Sequence, residues 1–363
     1  MKIKNIISWK KNLGSKRPYT IAFKTISDVD NVFVKVTLED GSFGIGAGNP
    51  SEYVTGESIA MTHATLSQEN LAFLIGRDLR DFYALLDEIM LKFPQAPAAR
   101  AALDIALYDA FTKHLQIPLG RFLGIQIKSM PTSITIGIKN VEETLEEAQE
   151  YYDAGFRYLK VKTGNAVAED IERMAKLREK FGNAIHIRVD ANQGYDEAAL
   201  IEFYALTKKF DIELIEQPLR AGMELQMKQL PDEIKAILAA DESVLTPAQA
   251  FDLATPPGAC GIFNIKLMKS GGIYPAHQIA TIARYAGIDL MWGCNDESIV
   301  SIAAALHVAF SFPNTKYIDL DGSLDLMVDV GKGGFQLSDG IMSITDQPGL
   351  GVQLVDEPDE ALA

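Results

Sequence analysis

The chain of 363 residues holds only two cysteines, Cys260 and Cys294, too few for a disulfide framework. It has no basic excess either. Its 34 lysines and arginines stand against 49 acidic residues, a net charge of −15, which argues against nucleic-acid and membrane surfaces as partners. No apolar run approaches membrane-spanning length, and the start Met-Lys-Ile-Lys-Asn-Ile-Ile-Ser-Trp-Lys-Lys lacks a sufficient apolar stretch for a signal peptide. Low-complexity sequence is absent. Histidine is scarce, and His63, His114, His186, His277 and His307 fall in helical or strand contexts, where they read as packing or surface residues. A soluble cytoplasmic protein is the expectation.

What the chain has is a period. Short runs rich in β-branched and aliphatic residues recur between residues 158 and 318, and nearly every one ends in a charge: Lys160 and Lys162, Asp190, Glu216, Asp241, Lys266 and Asp319. The interval is about 26 residues, enough for one strand, one helix and two short loops. Two further strands complete the set. Thr132–Ile138 precedes a helix opened by Asn140 with Glu143 three residues on, and Ile288–Trp292 follows Gly287. Eight strands alternating with helices make an α/β fold, a parallel barrel of the TIM type.

At the carboxyl-terminal mouth of such a barrel the strand ends face one another. Lys160 and Lys162 on strand two stand opposite Lys266 on strand six. Asp190, Glu216 and Asp241 fill the arc between them, and Asp319 and Asp321 lie across from Glu216. Three converging carboxylates need a cation, and oxygen-only ligands favour Mg2+, with Mn2+ as a substitute. Such a metal would stabilise charge on a substrate carboxylate whose neighbouring carbon loses a proton. The lysines would be the bases, Lys160 depressing the pKa of Lys162. One base on each face of a carbon is the geometry of a racemase or epimerase. Cys294, Asp296 and Glu297 follow strand seven and line the mouth.

These residues carry a resemblance. Lys-Val-Lys at 160–162, Asp-Ala-Asn-Gln-Gly-Tyr at 190–195, Glu-Gln-Pro at 216–218, Asp-Glu-Ser at 241–243 and Asn-Ile-Lys at 264–266 resemble the enolase superfamily, in its muconate-lactonising (mandelate racemase) subgroup. Asp-Leu-Asp-Gly at 319–322 looks like the dipeptide epimerases of that subgroup. The resemblance implies a modified TIM barrel, (β/α)7β, in residues 119–325. It implies an N-terminal α+β capping domain over residues 1–118, and a segment 326–363 that returns to complete the cap. Strand-like Ile3–Trp9, Asn31–Leu38 and Phe43–Ala47, a hairpin at Asp40-Gly41 and an amphipathic helix over Ala98–Leu115 agree with the α+β unit. Loops at about 13–27 and 48–57 are the expected lids.

By the same resemblance Lys162 and Lys266 exchange the α-proton of a dipeptide's C-terminal residue. Lys160 stabilises the enediolate, and Asp319 and Asp321 hold the substrate ammonium. Thr135, Asn192 and Asn264 are further substrate-facing candidates. Lys24, in the first lid, favours an acidic side chain as in L-Ala-D/L-Glu, whereas Asp296 disfavours one. A homo-oligomer is implied as well. Sister enzymes, such as an o-succinylbenzoate synthase with N-succinyl amino acid racemase activity or a muconate cycloisomerase, share the metal and the lysines but have no use for Asp319 and Asp321. A non-catalytic binding relative would tolerate lost ligands, and here every expected one is present. Lys269-Ser270-Gly271-Gly272 reads as a turn before a helix.

Overall fold

The computed structural model describes residues 1–16, 19–21, 24–26 and 28–356, with the side chains of 19–21 and 24–26 excepted. Eight parallel strands form one sheet in strictly sequential order: Ser133–Ile136, Tyr158–Lys162, His186–Asp190, Ile212–Glu216, Leu238–Ala240, Ile262–Ile265, Asp289–Gly293 and Thr315–Asp319. A parallel bridge between Thr132 and Ile318 joins strand eight to strand one. Helical segments separate all eight, so the architecture is (β/α)7β. The first strand is shorter than the expected 132–138. It ends at Ile136, and the chain runs through Gly137 into the Asn140–Glu143 capping box of the helix Val141–Asp153. The Thr246–Gln249 capping box, with Pro247 at the first helical position, opens the helix Pro247–Ala254 in the same way.

Parallel strands covered on both faces read as continuous apolar runs, and the side chains directed into the barrel alternate with those packed under the helices. Leu214, Ala239, Ile262 and Met291 form an apolar floor beneath the mouth, with Tyr317 against it. Arg188, also fully buried, lies between the rings of Tyr158 and Tyr317, 4.9 and 5.1 Å from their centroids.

Before the barrel, Ile3–Asn12, Asp30–Leu38 and Phe43–Gly48 make an antiparallel sheet, the last two strands joined by the expected tight turn at Asp40-Gly41. The helix Pro97–His114 packs on it. This helix is not amphipathic as expected: residues 98–110 are all buried. One side meets the sheet, and another meets the barrel helices Leu267–Ser270 and Ile273–Ala286. With both sides covered, no polar stripe is left. Its approach to the sheet is unusually close because Gly44, Gly46 and Gly48 present no side chains. A Cβ on them would lie 2.1, 1.8 and 2.5 Å from the backbone oxygens of Ala106, Ala102 and Ala98.

Acidic side chains from this region cap other elements. Asp104 accepts from Ile273 N (2.6 Å) and Tyr274 N (3.2 Å), at the start of a barrel helix whose cap residue, Gly272, has no side chain of its own. The turn at Gly271-Gly272 is therefore present as expected, and the group capping that helix end is the carboxyl of Asp104, which burial pushes up to about 8. Asp109 takes Ile45 N and Leu350 N, each at 2.9 Å. Buried Glu57 takes Thr62 Oγ1 (3.0 Å) and Ala98 N, and so fastens the end of the second expected lid. Its other end is held where Asn49 N meets Met268 Sδ at 3.1 Å.

After the barrel the chain turns back. Phe335–Ser338 pairs with Ile341–Ile344, which in turn pairs with Ser129–Pro131; Gly331–Gly333 pairs with Val352–Leu354, and Met327 N and Val328 N donate to Gly14 O and Leu13 O. Residues 17, 18, 22, 23 and 27 of the first expected lid lie outside the described residues. Lys24 begins the short strand Lys24–Ile26, paired with Tyr19–Ile21; its side chain is outside the described part.

Candidate active site

Each strand of the arc delivers its terminal charge to the mouth. Asp190 and Glu216 are the last residues of their strands, and Asp241 and Lys266 follow theirs directly. All four are buried. Parallel pairing sets Lys162 beside Asp190 and Asp190 beside Glu216 in register. The lysines divide among the carboxylates. Lys162 Nζ donates to Asp190 Oδ2 (2.7 Å) and Asn192 Oδ1 (2.8 Å). Across the mouth, Lys266 Nζ donates to Asp241 Oδ2 (2.9 Å). Lys160 donates to Asp319 and lies 3.5 Å from Asp190 and 3.6 Å from Glu216.

Electrostatics follow from this sharing. Burial alone would raise Asp190 and Asp241, but the lysines outweigh it, and both carboxyls lie below the usual range. Glu216 goes the other way, pushed up to about 8 by burial and by the charge of Asp190. At Lys160 and Lys266 the surrounding carboxylates dominate. Burial pulls both down, but Asp319, Glu216 and Asp190 around Lys160, and Asp241 and Glu216 around Lys266, hold them well above the ordinary lysine value. Opposite charges in contact override both burial and like-charge repulsion.

As these side chains stand, no three His, Cys, Asp or Glu among the described residues are grouped to hold a metal ion. The donor set nevertheless fits a hard divalent cation. It is all oxygen, and Glu216 Oε2 is buried without a hydrogen-bond partner, while Oε1 takes Asn264 Nδ2 at 2.7 Å. A raised, half-satisfied carboxylate between two others is a place for positive charge.

Asp319 is committed within the protein. Ser133 Oγ donates to its Oδ1 at 2.6 Å, Lys160 to its Oδ2, and Arg188 supports Ser133 Oγ and Ile318 O at 3.2 and 2.8 Å. Asp321 accepts Thr135 N at 2.8 Å. It is pushed up to about 7 by burial and the neighbouring Asp319 charge. Cys294 Sγ spans strand ends seven and eight, donating to Asp319 O (3.2 Å) and accepting Gly322 N (3.3 Å). Glu297 is buried against Asn295 N, and Asp296 is half-buried beside it. Asn264 is fully buried under Glu216.

Four participants escaped the reading of the sequence: Lys269, Arg188, Ser133 and Gln217. Arg188 and Ser133 sit two residues below Asp190 and Thr135 on the same inward faces, which strand alternation signals. Gln217, at φ +32°, holds the next strand end: its Oε1 takes Asp241 N (2.8 Å) and Ser243 N (3.2 Å). Asn192 and Gln193, at φ +42° and +66°, share this left-handed backbone. Such conformations cost on the order of 1 kcal/mol each and cluster at functional sites.

Fold and site together define a class: a parallel (β/α)7β barrel with opposed lysines flanking an arc of carboxylates at its mouth. Comparison with known proteins gives the family. Residues 4–124 match the mandelate racemase / muconate lactonizing enzyme N-terminal domain and residues 143–358 the enolase C-terminal domain-like family, so the chain belongs to the mandelate racemase / muconate lactonizing enzyme family of the enolase superfamily. Two curated relatives bear the name L-Lys-D/L-Arg epimerase. That of Methylococcus capsulatus is 51% identical over 97% of this chain and 99% of its own, and that of Desulforapulum autotrophicum 53% over 98% and 100%. The L-Ala-D/L-Glu epimerase of Bacillus subtilis is 33% identical over 97% of each chain. A crystal structure of a dipeptide epimerase from Methylococcus capsulatus, in complex with Mg and L-Arg-D-Lys, superposes with TM-score 0.95 at 51% identity, covering 97% of this chain and 99% of that one.

Proposed function

We propose that the chain is a Mg2+-dependent dipeptide epimerase that inverts the α-carbon of the C-terminal residue and prefers cationic dipeptides. The observation that carries the reaction is the pair Lys162 and Lys266, on opposite sides of the mouth, each hydrogen-bonded to a carboxylate of the same arc. Asp190, Glu216 and Asp241 would hold the cation, Mg2+ or Mn2+ in its place, which when bound supplies positive charge to the substrate carboxylate. One lysine, having released a proton to solvent, leaves its carboxylate as a neutral amine and accepts the α-proton. The opposite lysine, still an ammonium, returns a proton to the other face. For the reverse isomer the two exchange roles. Lys160, fixed among three carboxylates, stays charged and faces the enediolate.

Asp321 is the acceptor for the substrate ammonium, since Asp319 is shared between Ser133 and Lys160. The preference for cations is supported by the two relatives above 50% identity named for lysine and arginine. Acidic residues at the mouth, Asp296 and Glu297, suit such side chains. This reading replaces the acidic C-terminal residue that Lys24 favoured. Residues 1–118 and 326–363 act as the cap over the barrel 119–325, with Gly48–Glu57 as one lid.

Incubation with Mg2+ in D2O tests it. Mass gain of one dalton at the C-terminal α-carbon is expected from L-Lys-L-Arg well before L-Ala-L-Glu. Lys266→Ala is expected to abolish epimerisation while one isomer still exchanges its proton through Lys162. Full turnover in both directions by that variant would sink the two-base scheme, and exchange of N-succinyl amino acids alone would move the chain to the sister enzymes.

A further inference from the structure

The proposed reaction leaves Lys269 without a task, yet it is among the most thoroughly bound cations of the molecule. Its ammonium, on the four-residue helix Leu267–Ser270, is buried. It donates to Asp241 O (2.6 Å), to Asn264 O (3.1 Å) and to Asp241 Oδ1. Three acceptors exhaust its three N–H groups. Lys266 differs: among the described residues its hydrogen-bond acceptor is Asp241 Oδ2 alone. The carboxylate of Asp241 is thus split, one oxygen to a locked lysine and one to a lysine with protons to spare.

The other side of the mouth repeats the arrangement. Asp190 receives Lys162, which is partly exposed, while the buried Lys160 stands 3.5 Å away. Each face therefore sets two lysines on one carboxylate, the second of them buried. On strand two the buried partner precedes the base by two residues on the same strand face. On strand six it follows by three, carried beneath Asp241 by a single helical turn.

We propose that Lys269 is a positioning residue: it holds Asp241 permanently through Oδ1 and the main-chain oxygen, so that Lys266 can leave Oδ2 for the substrate's α-carbon. The proposal rests on the two-base reading above. The physical reason is that a buried carboxylate cannot stand without a cation. Lys269, held on Asp241 Oδ1 and on the main-chain oxygen, fixes the direction of that carboxylate whether Lys266 is docked or away and beside any metal on the arc. Without it, the Asp241 carboxylate can turn toward Lys266 and hold it by a charge-assisted hydrogen bond. Lys162 has no such dependence, because Lys269 does not touch Asp190. The consequence is confined to one face of the substrate.

The test uses the full chain with Mg2+ in D2O and two dipeptides, L-Lys-L-Arg and L-Lys-D-Arg, that differ only at the C-terminal α-carbon. Lys266→Ala identifies the isomer that gives its proton to Lys162, since that isomer still exchanges. In Lys269→Met, exchange from the other isomer is expected to fall on the order of tenfold or more relative to the first. Equal slowing of both isomers, as a general loosening would give, overturns the proposal, and so does an unchanged ratio. Calorimetric titration with Mn2+ supplies a readout apart from turnover. Loss of a cation beside Asp241 leaves Mn2+ binding no weaker than native; abolished binding would make Lys269 a builder of the carboxylate arc and overturn the assignment. Should Lys269→Met not fold, Lys269→Arg keeps the charge and is expected to keep the isomer ratio within about threefold of native. A folded arginine variant with the Lys266 face silenced overturns it. A native chain that exchanges neither isomer refutes the dipeptide reading and this proposal with it.

Discussion

Gly46→Ala adds one methyl group and is expected to be among the most damaging single changes in the chain. The glycine's backbone conformation is open to alanine, since φ is not in the left-handed range, so no dihedral strain enters. The obstacle is contact. The new Cβ would lie 1.8 Å from the carbonyl oxygen of Ala102, where a carbon and a carbonyl oxygen rest at about 3.3 Å. Strand and helix must part by about 1.5 Å, and the clash is with backbone, which cannot rotate away. The helix carries fourteen buried residues, and a gap of even about 1 Å forfeits up to half of each dispersion contact across it. Overpacked cores lose about 1–3 kcal/mol when side chains can adjust; here about 4 kcal/mol or more is expected. At a urea sensitivity of about 3 kcal/mol per molar, the unfolding midpoint drops by about 1 M. Gly41→Ala is the control. Its Cβ meets nothing within 4 Å, and its φ of +86° costs about 1 kcal/mol. A Gly46→Ala protein whose midpoint matches that of Gly41→Ala, or of the native chain, would refute the close-approach argument.

Two further outcomes are expected of the scaffold. Asp104→Ala leaves Ile273 N and Tyr274 N without acceptors and should cost about 2–3 kcal/mol in the same urea assay, with Asp104→Asn, which keeps an acceptor, costing less. An alanine variant as stable as native would remove the cap from the account. His307 is buried, accepts Gly120 N at 2.9 Å and is pulled down to about 4 by burial. The unfolded chain takes up this proton near pH 6.5 and the folded chain only near 4, so stability is whole above about 6.5 and declines toward 4, by about 3 kcal/mol. His307→Gln is expected to flatten that decline in urea melts at pH 7 and 4.5; an equally steep loss in the variant would place the acid sensitivity elsewhere.

The barrel was legible because its strands carry two superimposed signals, an apolar run and a terminal charge, repeated at a near-constant interval. Asp190, Glu216, Asp241 and Lys266 could therefore be placed on one mouth without knowing any contact. Partnerships could not. In sequence Lys160 neighbours Lys162, two residues away, but its hydrogen bond goes to Asp319, 159 residues on. Gly271-Gly272 is a strong turn signal that absorbs Lys269 in the sequence, and only the helical turn at 267–270 sets its ammonium on Asp241. The helix Pro97–His114 misled for a different reason. Periodicity reports a polar face, and a helix covered on both sides by alanine-tolerant surfaces has none to report.

The carboxyl of Asp104, seated on the first turn of a barrel helix, makes residue 104 and the segment 271–274 dependent on each other across the chain. In a chimera that imports the first 118 residues from another barrel, the cap survives only where a carboxyl at 104 is matched with the glycine pair at 271–272, whose missing side chains leave it room. A segment that carries residue 104 cannot then be exchanged independently of the turn and helix start at 271–274.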